Sequence, residues 1–265
     1  MGALIRSKDW STTPLGAIET WPQSLRTTVS LCLASNFPID VIWGPQYTQI
    51  YNDGYLPICA RKHPQSLGED FTQTWASAWG ILDKAFGGAL AGETSFLENQ
   101  RTFLDRNGYL EETFFTFSLS PIRDESGKVG GLFHPVIETT PQMLSQRRTR
   151  ALQDLASRPS EAKSLAESCE LAAQALFDNQ VDLPFALIYV VDETASTARL
   201  CGSAHLEPGS AASALVVDLE EGKSPCAWPF REVMLSGAPV KVTDLEDKFG
   251  PLACGPYPAV SVFRM

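Results

Sequence analysis

No run of this chain approaches the roughly eighteen consecutive apolar residues that a membrane-spanning helix needs. The first residues, MGALIRSKDW, hold no apolar core of signal-peptide length. Both absences predict a cytoplasmic chain with no membrane partner. Met1-Gly2 matches the start of a myristoylation signal, but Arg6 stands where serine or threonine is required. Positive charge is also short: 21 Lys and Arg face 31 Asp and Glu, a formal net charge of −10. That argues against a nucleic-acid partner, since general nucleic-acid binders present a basic surface. The six cysteines, Cys32, Cys59, Cys169, Cys201, Cys226 and Cys254, form no CxxC pair and fit no zinc spacing. They are expected to be reduced and mostly buried. GxSxG, HExxH and GxxxxGK[ST] are all missing, so no common hydrolase, zinc-protease or nucleotide-loop chemistry is written in the chain.

What is present centres on residues 109–140, YLEETFFTFSLSPIRDESGKVGGLFHPVIETT. Phe115, Phe117 and Leu119 alternate with Thr116, Ser118 and Ser120, the period of a half-buried strand. Asp124-Glu125-Ser126-Gly127-Lys128 supplies turn chemistry, and residues 129–137 form a second, largely apolar run. Together they predict an antiparallel hairpin. Thr139-Thr140-Pro141 then caps and opens a helix over 141–157.

Before the hairpin, Pro22 opens a helix whose apolar face is Leu25, Val29, Cys32 and Leu33. Residues 39–43 and 48–51 read as a strand pair turned at Gly44-Pro45. Asn52-Asp53 suits a strand-to-helix transition, because short polar side chains cap backbone donors. Trp75, Trp79, Leu82 and Phe86 recur at helical spacing, a stripe read as core. Residues 94–104 form another strand, ending in the turn Arg106-Asn107-Gly108. After the hairpin helix, Ser160 is a candidate N-cap for a helix with Leu165, Cys169, Ala172, Ala173 and Leu176 on its apolar face. Strands are expected at 185–191, 198–203 and 240–242, with a helix at 228–235. The carboxylate pairs Glu111-Glu112 and Asp124-Glu125 read as solvated charge, and Glu220-Glu221-Gly222-Lys223 as a polar loop.

The FPIDVIWGP strand, the IYNDGY transition, the LG before the helices and the ETFFTFSLSPIRDESGKVGG hairpin resemble a PAS domain. The opening DWSTTPLGAIETWPQSL resembles the start of bacterial sensor histidine kinases in which a PAS domain precedes a GAF domain, and LSGAPVKVTDL resembles part of the latter. The implied fold class is α+β. It comprises a lead-in segment (1–17), a PAS domain with an antiparallel five-stranded sheet and flanking helices (18–140), and a linker helix (141–159). A GAF domain of α+β type follows (160–265), incomplete because the family continues with more strands past Gly250.

The resemblance also places candidate sites. The inner sheet face lines the ligand cavity of many PAS domains, which implies Phe115, Phe117, Leu119, Phe133 and His134 as cavity residues. His134 has two readings: a haem ligand or ligand-binding group, or a structural histidine beside Pro135. Leu144, Ala151, Leu152 and Leu155 share a face of the linker helix and are the candidate signal-transmission residues; such helices pair across a dimer in similar sensors, and the other reading is a helix that docks on its own domain. His63, His134 and His205 are the only histidines, and none stands in an acidic helical phosphoacceptor motif. The expected function is therefore the cytoplasmic sensing module of a two-component sensor histidine kinase, a homodimer acting on a kinase domain or response regulator outside this chain. Two alternatives remain open: a ligand-free PAS interaction protein, and a haem or other cofactor-bearing redox or gas sensor. No cofactor, metal or catalytic residue is predicted.

Overall fold

The alternating stretches assemble into one sheet in the computed structural model, which describes residues 1–220 and 227–252. Strands β1 (Ile39–Trp43), β2 (Thr48–Tyr51), β3 (Ser95–Leu104), β4 (Glu111–Arg123) and β5 (Val129–Glu138) pair antiparallel in the order β2-β1-β5-β4-β3. The predicted hairpin is β4–β5. Its loop is held by Asp124 Oδ1, which accepts from the amides of Ser126 and Lys128 at 2.8 and 3.1 Å. Gly127 there takes φ +83°. The sheet is the five-stranded antiparallel arrangement that the PAS resemblance implies, so this part of the chain is PAS-like in fold.

Two groups of helices cover the sheet. Helices α1 (Gly2–Ser7) and α2 (Gln23–Ala34) precede it in the chain. The lead-in segment is well packed: its Ile5 and Trp10 are buried, and Trp10 meets the buried Trp21 indole edge to face at 5.0 Å. Helix α2 packs on β1 and β2 through Leu25, Val29 and Cys32. Its N-terminus is capped from the hairpin loop, where Glu125 accepts from the Ser24 amide at 2.7 Å. The opposite face is covered by the short helices α3 (Leu56–Cys59) and α4 (Phe71–Thr74) and by α5 (Ala76–Leu90). Gly131 in β5 has no room for a side chain, since a Cβ there would lie 2.6 Å from the Ile42 carbonyl and from the Trp43 ring.

The chain leaves β2 through Asn52, which is 1% exposed. Its Nδ2 donates to the carbonyls of Cys32, Ser35 and Phe37 at 3.0, 3.0 and 2.7 Å. Its Oδ1 accepts from the amides of Ile39 and Tyr55 at 3.1 and 3.2 Å. One carboxamide therefore ties the end of α2, the start of β1 and the turn into α3, which is the transition its residue type predicts.

After β5 the chain runs into α6 (Thr140–Ser157) and then α7 (Leu165–Phe177). By contacts the chain divides into two units, residues 1–144 and 145–265. In the second unit β6 (Ala186–Val191), β7 (Thr197–Ala204) and β8 (Val216–Asp218) make a three-stranded antiparallel sheet in that order. Helices α8 (Phe230–Ser236) and α9 (Leu245–Phe249) follow. Three details differ from the sequence reading. Ser164, not Ser160, caps α7, its Oγ accepting from the Glu167 amide at 3.2 Å. Residues 240–242 are not a strand, and the third strand is the three-residue β8. The loop read at 220–223 and the chain end past Leu252 lie mostly outside the described residues. Among the described residues no helix is long and apolar enough to cross a membrane.

Candidate functional site

Side chains alternate across a strand, so β3, β4 and β5 each send every second residue toward α3–α5. Thr102 and Leu104, Phe115 and Phe117, and His134 and Val136 make the floor of a small cavity of about 40 Å³. Tyr55, Ile58, Phe71, Trp75, Ala78 and Leu82 complete its lining, and every lining residue is buried. A wider depression of about 700 Å³ at the hairpin tip, lined by Trp43, Tyr47 and Glu125, lies away from these groups.

His134 is the chemical centre of the cavity. Its ring meets Phe117, Phe71 and Tyr55 edge-on at 5.3, 5.7 and 6.5 Å. Its Nδ1 has no hydrogen-bond partner among the described residues, and neither has Trp75 Nε1. The indole lies toward the Tyr55 phenol, outside hydrogen-bond geometry. Burial lowers the His134 pKa to about 3, so the ring is neutral at physiological pH. Opposite it across the β1–β5 register stands Asp40, fully buried. Neither carboxyl oxygen makes a hydrogen bond, although the amides of Val41 and Ile50 face it. Burial pushes the Asp40 carboxyl well above its ordinary 3.8. A carboxyl with a raised pKa and a neutral imidazole thus stand opposite each other with polar atoms that make no hydrogen bond.

The five candidate cavity residues divide. Phe115, Phe117 and His134 come together in the lining, and Leu119 is buried in the same core without reaching the cavity. Phe133 does not join them. It pairs with Val41 while its neighbour His134 pairs with Asp40, so the two point to opposite faces of β5. On α6, Leu144, Ala151 and Leu155 are half-buried and Leu152 is 67% exposed. The sequence reading missed Asp40, Tyr55, Phe71 and Arg106. A haem does not fit the cavity as folded. Its volume is about 40 Å³, against roughly 300–1,000 Å³ for small-molecule sites. Among the described residues no group of three or more metal-ligating side chains is assembled.

Arg106, 7% exposed, stands at the edge of this site. Its Nη1 donates to the carbonyls of Pro57 and Ile58, both at 3.4 Å. Its Nη1 and Nη2 hold Glu138 in a bidentate pair at 2.8 Å each, and its Nε donates to Glu111 at 3.0 Å. Burial opposes the charge; the hydrogen bonds Arg106 donates to Glu138 and Glu111 outweigh it and raise the Arg106 pKa. Close by, the Phe114 amide donates to Thr140 Oγ1 at 2.9 Å and the Thr139 amide donates to the Phe114 carbonyl at 2.8 Å. The cavity wall and the first turn of α6 therefore share one bonded network.

Asp40 makes stability depend on pH in a definite direction. Its pKa is raised in the folded chain, so the unfolded chain ionises first and folding weakens as pH rises above the unfolded value. Asp40→Asn removes that term. We expect little change in Tm near pH 4 and a gain growing to several degrees by pH 8, at about 2–4 °C per kcal/mol in a domain of this size. Calorimetry at both pH values checks it, and an equal gain at both would refute the assignment. His134 acts with the opposite sign, costing stability as pH falls below its ordinary 6.5 toward about 3.

No family model and no curated protein matches this sequence. Among solved structures, the chain is similar to the LOV protein of Rhodobacter sphaeroides at TM-score 0.38 and 15% identity, over 61% of this chain and 90% of that one. It is similar to the PAS domain of Bordetella pertussis BvgS at 0.32 and 18%, over 49% and 98%. It is similar to a sensory box sensor histidine kinase from Vibrio cholerae at 0.30 and 16%, over 43% and 87%. These TM-scores lie below 0.5, and the PAS-like description stands on the strand order and the covering helices.

Proposed function

We propose that residues 1–144 form a signal-sensing input module whose state is read at the β5–α6 junction. The observation that carries this reading is the Arg106 network. It joins the Ile58 carbonyl beside the cavity to Glu138, two residues before α6 begins. A change in the lining that moves Ile58 or β5 alters the same bonds that anchor the helix, and α6 then carries the change toward residues 145–265. Leu144, Ala151, Leu152 and Leu155 are the α6 positions assigned to transmission. The resemblance to PAS–GAF sensor kinases supports a GAF-type second unit, a homodimer, and a histidine kinase or response regulator as the downstream partner.

The test uses Leu82→Ala, which enlarges the cavity, with benzene as probe, because the lining is mostly apolar and enlarged apolar cavities take up such molecules. We expect benzene to change amide exchange in the first turn of α6, at residues 139–143, in proportion to occupancy. If benzene binds and those amides do not respond, the junction does not read the cavity. The small cavity favours a second reading, a ligand-free interaction platform. In that case sedimentation velocity finds a stable dimer whose assembly is indifferent to any cavity substitution.

A further inference from the structure

The second unit holds two adjacent thiols that none of the above uses. Cys169 lies on α7 and is buried; Cys201 lies on β7 and is half-buried. Cys201 shares its side of β7 with α7, lining a depression beside Ala166, Glu170 and Ala173 of that helix. Two independent features of the backbone bring them together. First, α7 rests directly on β7 here, since a Cβ on Gly202 would lie 2.7 Å from the Cys169 carbonyl and 2.9 Å from the Ala173 Cβ. Second, the β6–β7 register passes from Ile188↔Gly202 to Tyr189↔Leu200, which leaves Cys201 as the extra residue of a bulge. A bulge frees a side chain from strict alternation and re-aims it. Cys201 also lines an open depression of about 510 Å³ with Ala166, Glu170, Gln174 and Phe177, so small solutes reach it.

We infer that Cys169 and Cys201 form a reversible thiol–disulfide pair that responds to peroxides. The Cys201 thiolate attacks one peroxide oxygen. The O–O bond breaks, water or an alcohol leaves, and Cys201 becomes a sulfenic acid, oxidised by two electrons as the peroxide is reduced. The Cys169 sulfur then attacks the Cys201 sulfur. The S–O bond breaks, water leaves with the Cys169 proton, and the disulfide forms. Two thiols and one peroxide give one disulfide, one water and one water or alcohol. A dithiol reductant reverses the step by exchange. Cys201 is the attacking residue because it is the accessible one. Burial and the nearby Cys201 raise the Cys169 thiol, which suits it to resolve rather than to react first. Closing the bond pins α7 to β7 at the bulge.

The experiment treats the full native chain with stoichiometric hydrogen peroxide, alkylates it, and maps non-reduced peptides by mass spectrometry. The expected result is loss of both thiols from the alkylation count and a dominant Cys169–Cys201 cross-link, reversed by dithiothreitol. In Cys169→Ser the cross-link disappears and dimedone labels Cys201 instead. In Cys201→Ser, Cys169 stays reduced. The inference is overturned if Cys201 overoxidises in the native chain while Cys169 remains free. It is equally overturned if other cysteines pair first, or if Cys169 reacts in the absence of Cys201.

Discussion

Asn52→Ala is expected to cost about 3–5 kcal/mol, because it strands three carbonyls and two amides in a buried site and each unsatisfied group costs roughly 1–3 kcal/mol before water returns to some of them. Against a total stability of about 5–15 kcal/mol, that is a large share. The carbonyls of Cys32, Ser35 and Phe37 lose their donor, and the amides of Ile39 and Tyr55 lose their acceptor. Urea unfolding measures the loss. Asn52→Asp separates the two halves of the interaction. The carboxylate keeps an acceptor for the Ile39 and Tyr55 amides but turns an anion on the three carbonyls. We expect it to destabilise as well, and more steeply as pH rises. A loss below about 1 kcal/mol for the alanine variant, the worth of one ordinary hydrogen bond, would mean that Asn52 is not the tie point.

Arg106→Ala is the second large effect. Removing one partner of a buried ion pair costs about 3–5 kcal/mol. Glu111 and Glu138 keep 19% and 24% side-chain exposure, which places the expected loss near the lower end. The change should also be local. Amide exchange at Thr139 and through the first turn of α6 should speed up more than exchange in β1 and β2. Arg106→Lys should not restore the wild type, because a lysine supplies no planar fork for Glu138 and cannot reach Glu111 and the Pro57 and Ile58 carbonyls together. Uniform acceleration across the sheet would show a purely global role and would weaken the proposed junction.

The carboxylates show where sequence reading reaches its limit. Glu111 and Glu112 read as solvated charge at a strand start. In the fold, Glu112 is 6% exposed and pairs with Arg101 at 2.6 Å, and Glu111 pairs with Arg106. Glu125 caps a helix 101 residues earlier in the chain. Each partner is distant or lies across a turn, and no local pattern encodes it. Asp40 is the stronger case. A lone acid inside the apolar run IDVIW gives no sign that it faces a histidine from another strand. For Phe133 and His134 the signal was present, since neighbours on a strand face opposite ways. Grouping both in one cavity set that alternation aside.

Local physics alone fixed the β4–β5 hairpin, its Asp-Gly loop, the helix after it and the Asn52 transition. In each, the deciding interaction lies within a few residues: a period of two, a turn needing positive φ, a side chain matching nearby backbone groups. The resemblance then supplied a five-stranded antiparallel sheet. Tertiary structure decided the rest. It set which faces of the strands are roofed by helices, how little space is left beside His134, which cations neutralise Glu111, Glu112 and Glu138, and that β7 at Cys201-Gly202 lies against α7 at Cys169. Those depend on the burial and distance of groups far apart in the chain, and burial is a property of the assembled core.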